Sequence, residues 1–346
     1  MKILIIGGGI AGLSSAFHLM ERNISFKLVD KGNNNSTLTA AGMINPIVFR
    51  RTTKSWRVDE FMPTLIDFYQ TCEKATDQTF FHPLKLRRIF SSTQEKEEWI
   101  KKQIREDYNQ YLEEITSEDE SYDLVENPFG SGRIKQCYWV NSEKFMAACH
   151  HYLSSTNKII QENFDHNKYN PKLKKYNDET FDKVIFCEGS NVKNNPLFSY
   201  LDIRSTKGQL LTISSSDIPE EESLNRKCFV LPIGNNYFKI GSTYEWNAED
   251  ALPTQEGRQV ILENFQVLKK TNPDVIEHSA GIRPTTFDRR PFIGEHPVFK
   301  DNFIFNGLGT KGYMIAPLLS NELINHILEG TPLHPEVLIE RVKTRP

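Results

Sequence analysis

The sequence contains no apolar run approaching the roughly 20 residues that a membrane-spanning helix requires. Among its 346 residues are only five cysteines, Cys72, Cys137, Cys149, Cys187 and Cys228. Their number is odd and no two stand as CxxC, which predicts free thiols in a reducing compartment and speaks against zinc. Excess charge is also missing. A net charge of -3 gives no whole-chain attraction to nucleic acid or to an anionic membrane. Repeats and low-complexity tracts are absent. Met1-Lys2 followed by apolar residues imitates a secretory leader, but three glycines interrupt it and no small-residue cleavage site follows. These features predict a cytoplasmic protein without a membrane span. His150 and His151 are adjacent, so on a helix they diverge, and no metal site is expected from them.

What is present is an ordinary globular composition, 38% apolar and 25% charged, at a length that suggests two domains. The informative stretch is the first thirty residues. Lys2 to Ile6 (KILII) has the composition of a strand buried on both faces. It runs into Gly7-Gly8-Gly9-Ile10-Ala11-Gly12, and then Leu13, Ala16, Phe17 and Met20 recur at helical spacing. Phe26 to Val29 reads as a second strand ending on Asp30. Strand, glycine turn, helix, strand and acid in this order are the dinucleotide-binding fingerprint. Gly7 permits the tight turn, Gly9 lets backbone approach a pyrophosphate, and Gly12 lets helix and strand pack closely. The helix N-terminus offers free N–H groups to phosphate, and Asp30 can accept from ribose hydroxyls. FAD and NAD are not distinguished by these residues.

Further along, Leu38-Thr39-Ala40-Ala41-Gly42-Met43-Ile44-Asn45-Pro46 follows a polar loop, with small residues that let backbone lie close to a flat ligand. Helical spacing from Ser55 to Thr76 predicts a helix with Val58, Phe61, Met62, Leu65 and Tyr69 inward. The spacing predicts another helix over Glu95 to Ile115, followed by an acidic turn, Glu118-Asp119-Glu120. Asn141 is a candidate N-cap. Phe181 to Gly189 reads as a second buried strand ending in glycine, where a parallel strand meets a cofactor. Lys207 to Ile213, Cys228 to Pro232 and Tyr237 to Tyr244 alternate as strands of an antiparallel sheet. A strand at Asn302 to Asn306 then enters Gly307-Leu308-Gly309-Thr310-Lys311-Gly312-Tyr313, and a last helix with Pro317 near its start stops at Gly330. Two glycine turns of this kind at opposite ends place both termini in one domain, with the middle inserted into it.

In that order, the motifs GGGIAGLSSAFHL, TAAGMINP, KGQLL, CFVLP, FKIGSTYE, AGIRPTTFDRRPFIG and NGLGTKGYMIAPLL make the chain resemble a known group, the FAD-dependent amine oxidoreductases of the D-amino-acid oxidase, glycine oxidase and sarcosine oxidase type. The resemblance spans nearly the whole chain and is weakest from His82 to Asn141. It implies FAD rather than NAD, in an α/β fold. A discontinuous Rossmann-like FAD-binding domain (residues 1–82, 138–203 and 278–346) would carry an inserted α+β substrate domain (83–137 and 204–277) built on a mostly antiparallel sheet.

Position by position, the resemblance puts Ile10 and Ala11 on the pyrophosphate and Asp30 and Lys31 by the adenosine ribose. Ser36 and Thr37 would touch the diphosphate. Ala41, Gly42 and Met43 would touch the flavin ring, with Gly189 at a strand end against the cofactor. Leu308 to Met314, including Gly309, Thr310, Lys311, Gly312 and Tyr313, would wrap the pyrimidine end of the ring. No cysteine stands near this loop, so the resemblance implies non-covalent FAD. Arg283 matches the arginine that pairs with a substrate carboxylate, to which a guanidinium fork is geometrically suited. Lys239 falls where the sarcosine-oxidase branch holds a lysine near flavin N5 to help oxygen. Phe229 stands where glycine oxidases present a tyrosine hydroxyl, Thr310 replaces a second arginine, and Asn191 replaces a tryptophan after Gly189-Ser190. Tyr244 is the hydroxyl that remains available from the same sheet.

The implied chemistry is hydride transfer to flavin N5 from the carbon beside a neutral amine, with oxygen or another acceptor taking the electrons. The substrate is expected to be a small amine or amino acid. Other readings stay open: a tRNA wobble-base carboxymethylamino-trimming domain, a dehydrogenase passing electrons to a quinone or carrier protein, and an FAD-binding module without turnover. For the tRNA reading, Arg50, Arg51, Lys54, Arg57, Arg87 and Arg88 are candidate phosphate contacts, although the net charge makes nucleic acid an unfavoured partner.

Overall fold

Lys2–Ile6 forms the strand its composition predicts, with Ile3 and Ile5 packed into one apolar cluster and Leu4 and Ile6 into another. Both faces are therefore covered, which is why the run does not alternate. The computed structural model describes residues 1–32, 35–115 and 124–341, so the Glu118-Asp119-Glu120 turn and part of the Asn33-Asn34 loop region lie outside the described residues. The first strand lies inside a six-stranded sheet. Its spatial order is Ile159–Ile160, Ser25–Val29, Lys2–Ile6, Lys183–Phe186, Asn302–Asn306 and Phe292–Glu295. The first five are parallel and the last is antiparallel to its neighbour. Strands from both ends of the chain thus meet in one sheet.

Two helices flank it. Ile10–Glu21 follows the first glycine turn, and Gly312–Glu329 follows the second. Pro317 lies inside the latter and removes one backbone donor, which leaves the Tyr313 carbonyl without its intrahelical partner. The buried Tyr69 hydroxyl donates to that carbonyl at 2.7 Å. Gly330 ends the helix at φ 73°, with its N–H donating to His326. The helix Val58–Thr76 buries the face that its spacing predicts. Asn141 caps Ser142–Ser155 by accepting from the Lys144 N–H at 3.1 Å. The helix expected over Glu95 to Ile115 is shorter: Thr93–Gln103, capped by Ser92. Tyr108, Tyr111 and Leu112 are buried from the irregular segment beyond it. Apolar spacing marks what is buried there, but it does not carry the helix through.

The second sheet is built on Ile203–Ser214. Tyr237–Gly241 and Glu245–Trp246 pair along it on one side, Asp274–Thr286 on the other. Phe229–Gly234, Ser223–Asn225, Leu86–Ile89 and Ser131–Ile134 extend it, with a single parallel pairing between Ser223–Asn225 and Leu86–Ile89. This is the mostly antiparallel inserted sheet, and segments from both sides of residue 138 build it. The expected boundary at 278 falls inside a continuous strand, Asp274–Thr286, whose pairing with Ile203–Ser214 runs from Asp274 to Thr286. That strand carries the chain from the second sheet back to the first.

Arg87 and Arg88 are engaged in ion pairs within this fold. Arg87 pairs with Glu222 at 2.8 Å, and buried Arg88 pairs with Glu95 at 2.7 Å and donates to Asn225 and the Arg226 carbonyl. Arg57 is tied to Glu60 and Glu322, and Lys54 to Asp59. Arg51 is exposed, and the side chain of Arg50 lies outside what is described. Most of the basic cluster is therefore structural. No helix among the described residues is long and apolar enough to cross a membrane.

Candidate functional site

A cleft of about 750 Å³ runs from the C-terminal ends of the parallel strands to the face of the second sheet. Its first wall is the glycine turn. Gly7 sits at φ 101°, and a Cβ on Gly12 would fall on the Gly7 carbonyl oxygen, so helix and turn close up only with glycine there. Asp30 accepts from the N–H groups of Gly8 and Gly32, which fixes its carboxylate at the mouth of this end. Thr37 accepts from the Ile10 N–H at 3.2 Å, and Tyr313 donates to the Thr37 carbonyl at 2.9 Å. Ser36 donates to the carbonyl of Ile282. The short helix Asn35–Thr39 is thereby fastened between the two glycine turns and the Asp274–Thr286 strand.

Of the residues picked out in the sequence, the cleft is lined by Gly7, Gly9, Ile10, Ala11, Asp30, Lys31, Ser36, Thr37, Ala41, Gly42, Met43, Gly189, Arg283 and the run Leu308 to Met314. Gly12 and Gly307 stand behind the lining. Gly307 has φ 83° and shapes the turn instead. The lining also includes residues that sequence reasoning did not assign. At the adenosine end these are Glu162, Phe164, His166 and Glu188, with His166 Nε2 2.8 Å from the Glu188 carboxylate. At the other end they are Asn45, Gly208, Leu210, Asn225 and Ser242. Asn45, Gly208, Leu210 and Ser242 lie within motifs already noted, and Glu188 within the strand that ends at Gly189; the others sit on loops or strands without a local signature.

Arg283 projects from the second sheet over Gly208, where a Cβ would overlap the guanidinium. Its Nη1 donates to the Thr243 carbonyl at 3.2 Å and its Nη2 to the Ser242 hydroxyl at 3.0 Å. Burial holds its pKa below the ordinary guanidinium value, partly offset by Tyr244 and Glu245. No carboxylate pairs with it among the described residues. Glu245, the carboxylate whose charge reaches it, accepts from Thr243 and from Gln209 and lies 3.6 Å from Lys207. Tyr244 lies beside Arg283, ring centroid 5.8 Å from the guanidinium carbon, but it is outside the cleft lining and packs edge-on against exposed Trp246.

Lys239 is placed differently from the expectation. Its strand buries Phe238 and Ile240 in the core of the second sheet, which turns Lys239 to the cleft side. Gly241 on that side pairs with Leu210, a lining residue, whereas Lys239 pairs with Thr212, two residues further out. Its ammonium meets Glu143 at 3.1 Å and does not line the cleft. Lys311 takes the inner position. Its Nζ donates to the Asn45 carbonyl at 3.2 Å, and burial lowers its pKa to about 8.

The glycine turn, the fixed acid and a cleft that continues past Ala41 to Met43 fit an extended dinucleotide carrying a flat ring. A family model described as FAD dependent oxidoreductase (DAO) matches residues 2–325. Glycine oxidase of Bacillus subtilis (strain 168) is 21% identical over 362 residues, which covers 96% of this chain and 95% of that protein. The tRNA 5-methylaminomethyl-2-thiouridine biosynthesis bifunctional protein MnmC of Marinobacter nauticus is 24% identical across 99% of this chain. The chain spans 58% of that protein's length. The crystal structure of glycine oxidase from Geobacillus kaustophilus superposes with a TM-score of 0.79 at 17% identity, with 96% of each chain covered. That likeness is one of fold.

Proposed function

Since the chain belongs to the FAD dependent oxidoreductase (DAO) family, we propose that it oxidises the C–N bond of an amino acid or N-substituted amino acid. FAD would be held non-covalently in the cleft, because none of the five cysteines lines the ring end; Cys187, the one lining cysteine, stands by the glycine turn. The observation that carries this reading is Arg283, a half-buried guanidinium without a carboxylate partner among the described residues, at the ring end of a dinucleotide cleft. When bound, FAD supplies the hydride acceptor.

The chain's own residues would do the rest by orientation. Ser242 and the Thr243 carbonyl hold one side of the guanidinium and leave its remaining donors for a carboxylate in paired charge-assisted bonds. Leu210 and Phe229 form an apolar wall beside it, which excludes water from the reacting carbon. No acid or histidine lines this end among the described residues, so neither residue type supplies a base there. Arg283 and Lys311 also oppose a third cation, which favours an amine bound in its neutral form. A neutral amine needs no base before the hydride leaves. Lys239 takes no part in this reading, and reoxidation by oxygen is retained without it.

The direct test is anaerobic mixing of the FAD-loaded protein with a panel of D- and L-amino acids and N-alkyl glycines. Bleaching of the flavin absorbance by at least one carboxylate-bearing amine is expected. A flavin that dithionite reduces but no amine in the panel does would end the proposal.

The tRNA-trimming reading keeps one specific observation in its favour besides the resemblance to MnmC. Tyr244 and half-exposed Trp246 form an aromatic surface beside Arg283, suited to stacking an unpaired base. Against it, Arg57, Arg87 and Arg88 are occupied by acids. A salt-sensitive shift of tRNA by the holoprotein would favour it over a free amino-acid substrate.

A further inference from the structure

The second sheet carries Arg283 on its cleft face and a buried polar cluster on the other. Along the Ile203–Ser214 strand, Gly208 lies under the guanidinium, so Gln209, one residue on, points to the far side. Gln209 is fully buried there against Gly257 of the helix Gln255–Gln266, where a Cβ would overlap its amide. Its Oε1 accepts from the Thr254 N–H at 2.8 Å and from His278 Nε2 at 2.9 Å. Its Nε2 donates to Glu245 at 2.6 Å and to the Thr254 hydroxyl at 3.0 Å. The amide can stand only this way round, because a backbone N–H only donates and a carboxylate only accepts. The Gln209 backbone N–H donates to the Thr243 hydroxyl at 3.0 Å, and that hydroxyl donates to Glu245 at 2.7 Å.

Glu245 pairs with Lys207 across the strands and shares the far face with Gln209. Lys207 does not fix it alone. The ammonium lies 3.6 Å from Glu245 and the same distance from Asp250, and it donates to the Leu252 carbonyl at 3.2 Å. The two donors that set the Glu245 carboxylate are therefore Gln209 and Thr243. On its other side Thr243 turns its carbonyl to Arg283. One residue separates a carboxylate from a guanidinium whose hydrogen-bond partners among the described residues are both neutral. Loss of those donors would leave Glu245 free to pair with Arg283, since charge-assisted bonds are the stronger ones. A substrate carboxylate would then have to displace it.

We propose that Gln209 is a positioning residue, which holds Glu245 on the far face of the sheet and so keeps the Arg283 guanidinium open for a carboxylate. It does this through its side-chain amide and, by way of its backbone N–H, through the Thr243 hydroxyl. The inference rests on the reading in which Arg283 receives the carboxylate of the substrate. A glutamate at position 209 would set acceptor against acceptor, and an apolar residue would leave Glu245 one donor short.

The test titrates the full-length FAD-loaded protein with acetate, a carboxylate that has no amine to oxidise, and reads the shift of the flavin spectrum. Gln209→Leu is expected to raise the acetate Kd about tenfold with FAD content retained. Adding Glu245→Gln to that variant should return the Kd to within about twofold of the unaltered protein, because a neutral amide cannot pair with Arg283. Thr243→Val removes the hydroxyl and keeps the carbonyl, so it should raise the Kd less and be rescued by the same Glu245→Gln. A purely structural role gives no rescue, since the second substitution only removes a further bond. A rise that persists in both double variants would overturn the proposal, and so would an unchanged Kd in both single ones. If Gln209→Leu does not fold, Thr243→Val with and without Glu245→Gln decides. Failure of the underlying reading looks different: the unaltered protein would bind no acetate, or would bind it equally well after Arg283→Ala. The positioning role would fall with it. If acetate behaves as expected but no amine bleaches the flavin, the reaction assignment falls and the role of Gln209 stands.

Discussion

Arg283 owes its freedom to the residues around it more than to its own position. Thr243 turns its carbonyl to the guanidinium and its hydroxyl to Glu245, which also accepts from Gln209. The neighbouring acid is thus drawn away, and Gly208 leaves room for the guanidinium to lie over the sheet. Removing the fork should therefore be felt by ligands and not by the fold. Arg283→Ala is expected to weaken binding of a carboxylate-bearing amine by ~2–5 kcal/mol, the range for losing one side of a desolvated charge pair. Titration of the flavin spectrum measures it, and an unchanged Kd with normal FAD content would remove Arg283 from the site. A lysine in its place should restore only part, because a point charge does not reproduce two parallel bonds. Arg283 was legible in the sequence through its motif. Its lack of a counter-ion was not, since that depends on where Glu245 and Gln209 point.

Among the elements, the first glycine turn and its helix were the most readable, because each glycine answers a local need. Gly7 takes a backbone angle that other residues resist, and Gly12 abuts the Gly7 carbonyl. Gly12→Ala forces the Ile10–Glu21 helix away from the first strand. A loss of ~1–3 kcal/mol, the usual cost of overpacking, is expected with reduced FAD retention, read together as a lowered Tm and a lower flavin-to-protein ratio. A variant that keeps both values would show that helix and turn can separate without harm. The strands of the second sheet were legible too, from alternation. The segment after Gln103 was not: Tyr108, Tyr111 and Leu112 keep an apolar spacing, yet Trp99 and Gln103 bond to carbonyls of Glu113 and Ile115 instead of continuing a helix. Such side-chain bonds reach across the loop and leave no periodic trace.

At the scale of the whole molecule, the cleft is closed by parts far apart in sequence. Residues near position 10, position 40, position 283 and position 311 line it together. FAD that fills such a cleft binds the folded chain and has no comparable site in the unfolded one. Stripping FAD should therefore lower the Tm, and adding it back at about 100 times its Kd should return roughly 2.7 kcal/mol of stability. A Tm indifferent to FAD would mean that the cleft is not where the cofactor sits.

The sequence by itself determined the dinucleotide turn, the parallel strand ending on Asp30, the second glycine loop and the motif around Arg283. These are set by backbone angles, close approaches and burial that act over a few residues. Only the tertiary structure decided that Lys239 meets Glu143 outside the cleft. It also decided that Arg87 and Arg88 are consumed by Glu222 and Glu95. The physical reason is that a charge takes its meaning from its partner. That partner is chosen by the register between strands and by loops packed from elsewhere, which no single stretch of the chain encodes.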